Sequence, residues 1–148
     1  MKKKFDLEEL SSEIHGDNVV RGFYDSHREV GTLLMLIVSE LSEALEADRK
    51  NRSCETCVID EVYNELEELK ELENKRPDEF SHEEVQAKRA QYAEHFKEKV
   101  KDTYEDEIAD TFIRLFDLVG YQGIAITKHI MAKLAFNRTR GYKHGKNY

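Results

Sequence analysis

Four carboxylates in two matched pairs carry the chemistry open to this sequence. Glu40 and Glu43 stand three residues apart, and so do Glu107 and Asp110. On a helix that spacing puts both members of a pair on one face. Each pair interrupts an apolar stretch: Leu33-Leu34-Met35-Leu36-Ile37-Val38 runs into the first, and Ile108, Phe112, Ile113, Leu115 and Phe116 surround the second. At about 100° per residue, Glu40 falls between Leu36 and Ala47 on one side and Leu33 and Ala44 on the other. The spacing thus predicts a buried Glu40, an edge position for Glu43 and a solvated Glu46. A buried carboxylate is costly unless it is paired, protonated or bound to a metal. If the two helices pack antiparallel, four acids converge, and a hard divalent cation, Mg²⁺ or alternatively Mn²⁺, suits such a set of oxygens. The competing reading pairs these acids with Arg and Lys at the helix ends. No His falls within either pair, which makes zinc or di-iron chemistry less apt. His95 and His129 are the candidate iron ligands, and neither has Glu-x-x-His spacing.

A second group of residues complements the first. Lys133, Asn137 and Arg140 step by four and three, so one helix would present them on a shared face. They belong to a basic tail (Lys128, Lys133, Arg138, Arg140, Lys143, Lys146) in a chain of net charge −8. The acidic balance disfavours nucleic acid as a partner, but not a phosphorylated ligand reached through a metal ion. The acids would hold Mg²⁺, the ion would hold phosphate oxygens, and Lys133, Arg138 or Arg140 would take the remaining charge. Phe23 and Tyr24 follow Gly22 in a stretch that reads as a loop. Two loop aromatics either anchor the loop to the core or stack on a planar ligand.

The elements that must position these residues are helical throughout. With one Pro and seven Gly in 148 residues, breakers are scarce, and Leu, Glu, Lys and Ala dominate. That composition predicts an all-α protein of one domain, residues 1–148. A short amphipathic helix is expected over 5–14, a break at His15-Gly16-Asp17-Asn18, and a long helix over 28–50. Two highly charged helices follow. One spans 58–75 on Val62, Leu66, Leu69 and Leu72; the other starts at a Ser81/Glu84 capping box and continues on Val85, Tyr92, Phe96 and Val100. Joined by a turn at Asn74-Lys75-Arg76-Pro77, they read as an antiparallel hairpin arm over about 52–102. Residues 103–119 are apolar around more than half the circumference and are expected to be central. A last helix carries Ile126, Ile130, Met131 and Leu134. No apolar run of about 18 residues exists, so no membrane span is expected. Met1-Lys2-Lys3-Lys4 leads into Phe5-Asp6-Leu7, which is no signal-peptide core, and an intracellular, cytoplasmic protein is expected. Cys54 and Cys57 form a lone Cys-x-x-Cys without a second pair, and read as two ordinary reduced thiols.

Glu40-x-x-Glu43, then Glu107-x-x-Asp110, then Lys133-x-x-x-Asn137-x-x-Arg140 resembles the all-α nucleoside triphosphate pyrophosphatases of MazG-like type. Their wider superfamily takes in dimeric dUTPases and phosphoribosyl-ATP pyrophosphatases. The likeness covers roughly residues 15–50 and 103–148. It is most specific at Ser39-Glu40-Leu41-Ser42-Glu43-Ala44-Leu45-Glu46 and at Asn137-Arg138-Thr139-Arg140-Gly141-Tyr142-Lys143-His144-Gly145-Lys146. Two departures stand out. Ser39 occupies the place of a usual leading Glu, and the charged arm sets the acidic motifs further apart than is common.

The resemblance implies a MazG-like helical bundle with the arm inserted. It also implies Mg²⁺-dependent hydrolysis of an NTP or dNTP to the monophosphate and pyrophosphate. Glu40, Glu43, Glu107 and Asp110 would be the metal ligands, and Glu43 the residue that accepts a proton from water. Lys133, Asn137, Arg140 and Lys146 would hold the substrate, Phe23 or Tyr24 would stack on its base, and Asn18 would read the base edge. A homodimer or dimer of dimers is expected. The alternative is a non-catalytic helical interaction or nucleotide-binding regulatory protein.

Overall fold

A computed structural model describes residues 6–74 and 81–140, and there the chain is all-α, as its composition predicts. Six helices follow one another: α1 (Leu7–Val20), α2 (Val30–Arg49), α3 (Thr56–Glu73), α4 (His82–Lys99), α5 (Tyr104–Gln122) and α6 (Ile126–Arg138). None of them is long and apolar enough to cross a membrane. The chain divides into two units, Met1–Ile37 with Phe112–Tyr148, and Val38–Thr111.

In the first unit, α1 begins where Asp6 Oδ1 accepts the backbone N–H groups of Glu8 and Glu9, at 2.9 and 3.2 Å. These are two of the donors a helix start leaves without intrahelical partners. The helix then runs straight through His15-Gly16-Asp17-Asn18, where a break was expected. Gly16 costs the helix only about 0.5–1 kcal/mol relative to Ala, and His15 is anchored from another element. Its Nδ1 lies 2.9 Å from Asp117 Oδ1 on α5. Tyr24 donates its hydroxyl to Asp117 Oδ2 at 2.8 Å. The rings of His15 and Tyr24 meet edge to face, and Tyr121 leans on both. The helix ends instead at Gly22, whose φ of +82° suits a residue without a Cβ.

Gly120 sets the approach of α1 to α5. A Cβ there would lie 2.4 Å from the Ser11 carbonyl oxygen and 2.7 Å from His15 Cβ. Glu8 then links α1 to α6. Ala125, at the start of α6, has no capping side chain, and the Glu8 carboxylate accepts from Thr127 N–H at 2.9 Å and from its hydroxyl. These two bonds hold the Glu8 carboxyl below the ordinary carboxylate range.

In the second unit, α3 and α4 lie antiparallel. Glu65 pairs with His95, Glu68 with Lys88 and Glu73 with Arg89. Between them Val62, Leu69 and Val85 are buried. Ser81 and Glu84 form the expected capping box in both directions. The turn expected at Lys75-Arg76-Pro77 lies outside the described residues. The α2 helix stops at Asn51, which takes the left-handed conformation (φ +53°) tolerated by Asn, and Arg52 N–H bonds back to the Ala47 carbonyl at 2.9 Å. The same loop is tied to the start of α5, because Tyr104 N–H donates to the Arg52 carbonyl at 2.9 Å.

The apolar pattern and the observed burial part company in two places. Of residues 33–38 only Ile37 is buried; Leu34, Met35, Leu36 and Val38 are exposed. Likewise Phe112, Ile113 and Leu115 of α5 are exposed, so α5 is not apolar-enclosed on all sides. The physical reason lies in α2 itself. It carries two apolar stripes, and the chain covers only the one formed by Ile37, Glu40, Ala44 and Ala47.

A matched pair of substitutions tests the packing of the first unit. Gly120→Ala should lower the stability to urea by about 1–3 kcal/mol, since the new methyl meets backbone and Cβ atoms. Gly16→Ala, with nothing within 4 Å of its Cβ position, should raise it by about 0.5–1 kcal/mol. Equal effects of the two would refute the close approach.

Candidate metal centre

The site is built where α2 and α5 bring acids together within the second unit. Carboxylate oxygens of Glu40, Glu43 and Glu107 all lie within 4.8 Å of one another. Glu40 and Glu107 are each only 6% exposed, whereas Glu43 is open to solvent. This is the graded burial that helical spacing predicts. Glu46, also as predicted, is solvated and pairs with Arg49 and Lys50. Ser39 Oγ donates to Glu43 Oε1 at 3.4 Å. The serine just ahead of Glu40 thus reaches the exposed member of the cluster.

The electrostatics of the cluster are read at Glu107. Burial pushes the Glu107 carboxyl above its ordinary range. The neighbouring acids Glu43, Asp106, Glu40 and Asp110 push it further the same way, in that order. Asp106 is raised as well, first by burial, with the Asp102 N–H opposing and Asp110 adding to the rise. Asp110 is half-buried and adds to the field on both, but its oxygens are not part of the close group. The converging set therefore has three members where the matched pairs predicted four.

Each of the three carboxylates could offer an oxygen to one divalent cation. A Mg²⁺ ion holds oxygen ligands at about 2.0–2.1 Å, so two ligands of one ion stand at most about 4.2 Å apart. The donor set is all oxygen, the set a hard cation prefers.

The remaining predicted residues lie in the first unit. Lys133 and Asn137 are on α6, with Lys133 Nζ 5.1 Å from the centroid of the Phe136 ring. Arg140 is not on that helix. α6 ends at Arg138, capped by Thr139, and Arg140 N–H turns back to the Asn137 carbonyl. The expected common helical face therefore holds only for the first two. Asn137 Oδ1 is buried and has no hydrogen-bond partner among the described residues. Lys146 lies outside the described residues. Phe23 is about half exposed, and its carbonyl accepts from Arg28 Nε at 2.7 Å. Tyr24 is bound into the Asp117 network, where burial and that carboxylate push its hydroxyl well above the ordinary tyrosine range. Asn18 is half-buried, and its carbonyl accepts the Phe23 N–H.

Sequence reading missed Asp106, the acid that crowds Glu107. The signal for it is a helix-start pattern, Thr103-x-x-Asp106, in which the Asp106 N–H donates to Thr103 Oγ1 at 3.4 Å. It also missed the His15–Asp117 pair, which 102 residues separate. In comparisons with known proteins, no family model, no curated protein and no solved structure matches the chain.

A raised Glu107 carboxyl has a definite pH signature. The folded state binds its proton more tightly than the unfolded state, so the contribution of Glu107 to stability falls as pH rises from 4.5 toward the folded value. At neutral pH, Glu107→Gln should therefore raise the melting temperature of the metal-free protein. Mg²⁺ or Mn²⁺ should raise that of the wild type and leave the variant unchanged. A variant less stable than wild type in metal-free buffer would argue against crowding of negative charge at this position.

Proposed function

We propose that the chain is a Mg²⁺-dependent nucleoside triphosphate pyrophosphohydrolase, converting an NTP or dNTP to the monophosphate and pyrophosphate. The observation that carries this reading is the close group of Glu40, Glu43 and Glu107, two buried and one exposed, with Glu107 repelled by its neighbours. Such a group favours a divalent cation, with Mn²⁺ able to replace Mg²⁺. A bound ion offsets charge on a triphosphate and lowers the pKa of bound water. The motif order of the MazG-like resemblance adds the reaction class.

The residues divide the work by burial. Glu40 and Glu107 are fixed in the packed helices and serve as ligands. Glu43 is exposed, reached by the Ser39 hydroxyl, and is the group that accepts a proton from water. Asp110 completes the acidic field from just outside the close group. Lys133, Arg140 and Lys146 hold phosphate oxygens. The unpartnered Oδ1 of Asn137 takes a donor from the substrate. Phe23 has the exposed ring for stacking on a base, with Asn18 beside it at the base edge; Tyr24 supports that turn through Asp117.

The functional unit in this proposal is a homodimer or a dimer of dimers. On α2, Leu34, Val38, Leu41 and Leu45 step by four, three and four, and each is 47–49% exposed. That is the seam spacing of helices that pack side by side. The same stripe favours the second reading, a non-catalytic helical interaction or nucleotide-binding regulatory protein.

Pyrophosphate release from a panel of NTPs, dNTPs and phosphoribosyl-ATP, with and without Mg²⁺, separates the two readings. Turnover should require the metal, and Glu107→Gln should lower it by at least about 100-fold, the loss of roughly 3 kcal/mol of transition-state stabilisation. Absence of metal-dependent release from every nucleotide would leave the interaction protein. Leu41→Glu should shift the sedimenting species to monomer; an unshifted species would remove the α2 stripe from the interface.

A further inference from the structure

We propose that a cavity between α1, α5 and the start of α6 binds a small organic cation, an aliphatic amine whose ammonium group pairs with the Glu8 carboxylate. The cavity lies wholly in the first unit and measures about 290 Å³. Glu8 and Ser12 of α1 line one side; Val119 of α5 and the turn Gly123-Ile124-Ala125 line the other. Nothing stands within 4 Å of the place a Cβ on Gly123 would take, so the space reaches the turn itself.

Hydrogen bonds fix both walls. Ser11, 2% exposed, donates its hydroxyl to the Leu7 carbonyl at 2.7 Å. In the facing turn, Gly123 N–H donates to the Gly120 carbonyl at 3.2 Å and Ile124 N–H to the Val119 carbonyl at 3.1 Å. Walls held in this way keep the space open before a ligand enters, which lowers the cost of binding.

The sign of the ligand's charge follows from Glu8. Its carboxylate is ionised at neutral pH and accepts one bond from Thr127 on each oxygen. Each oxygen keeps a second lone pair. Among the described residues no Lys, Arg or His side chain pairs with it. The start of α6 supplies about half a positive charge, which leaves about half a negative charge for a ligand to answer.

The body of the ligand follows from the rest of the lining. Val119, Ile124 and Ala125 offer hydrocarbon. An apolar cavity of about 150 Å³ takes up a benzene molecule, so this one has room for an unbranched chain of several carbons. Ser12 is exposed and Ile124 is 37% exposed, so the rim reaches solvent and gives the chain a way in. None of this rests on the metal-centre reading, whose acids lie in the second unit.

The test titrates the full chain with hexylammonium, hexanol and hexanoate, read by backbone amide chemical shifts. Hexylammonium should saturate one site and move the amides of Ser12, Gly120, Gly123 and Ala125. Butylammonium, with two fewer methylenes to bury, should bind about tenfold more weakly. Hexanol should bind about fivefold more weakly than hexylammonium, the weight of a solvent-accessible ion pair, and hexanoate more weakly still. Glu8→Gln keeps an oxygen for the Thr127 N–H and loses the charge, so it should bring hexylammonium down to the level of hexanol. Ala125→Leu should fill the space and abolish binding of all three. Hexanol or hexanoate binding as tightly as hexylammonium to the wild type overturns the choice of a cation. Hexylammonium binding unchanged in Glu8→Gln removes Glu8 from the site. Shifts confined to other residues, or a titration that never saturates, overturn the site itself.

Discussion

The constraint on which the second unit turns is the burial of like charges. Glu40 and Glu107 project from two helices into a packed region, and each is as enclosed as the apolar residues around it. Helix propensity would favour α2 and α5 without them. What the acids add is a demand for compensation, because repulsion and desolvation act on Glu107 in the same direction. A third carboxylate at the open edge raises the demand. A protein selected only for stability would have an apolar residue at 107. On α2 the buried neighbours along that face are small, Ala44 and Ala47.

The first unit solves the opposite problem. Its one buried acid, Asp117, is satisfied on both oxygens, by His15 and by Tyr24. The result is a fixed joint between α1, the turn after it and α5. Gly120 completes the joint by letting the α1 backbone come within van der Waals range. Asp117 is answered within the chain, whereas Glu107 is crowded by neighbouring acids.

Much of this was legible in the sequence, and the failures have physical causes. The boundaries of α2 and α3, the Ser81 capping box, and the grading of Glu40, Glu43 and Glu46 follow from local spacing, which a one-dimensional pattern records. The break expected at His15–Asn18 failed because the His15–Asp117 bond is made over a long separation, and such a bond outweighs one helical glycine. The convergence of all four acids failed at Asp110, because spacing assigns a face but not the distance at which two helices cross. Of the apolar run 33–38 only Ile37 is buried, because α2 is apolar on two sides and one stripe is covered. The hydrophobic pattern reports what wants cover, and says nothing of which chain supplies it.

The division of the chain also orders its assembly in time. The second unit is one continuous segment, Val38–Thr111. Every contact it needs, including the acidic group, is available once Thr111 has left the ribosome. The first unit draws on both flanks of that segment. Its ties close loops of 102 residues at His15–Asp117 and 119 residues at Glu8–Thr127. Loop-closure entropy and synthesis order both place those ties last. The charge-crowded half is thus free to form first on the nascent chain, before the ties that close the other unit are made.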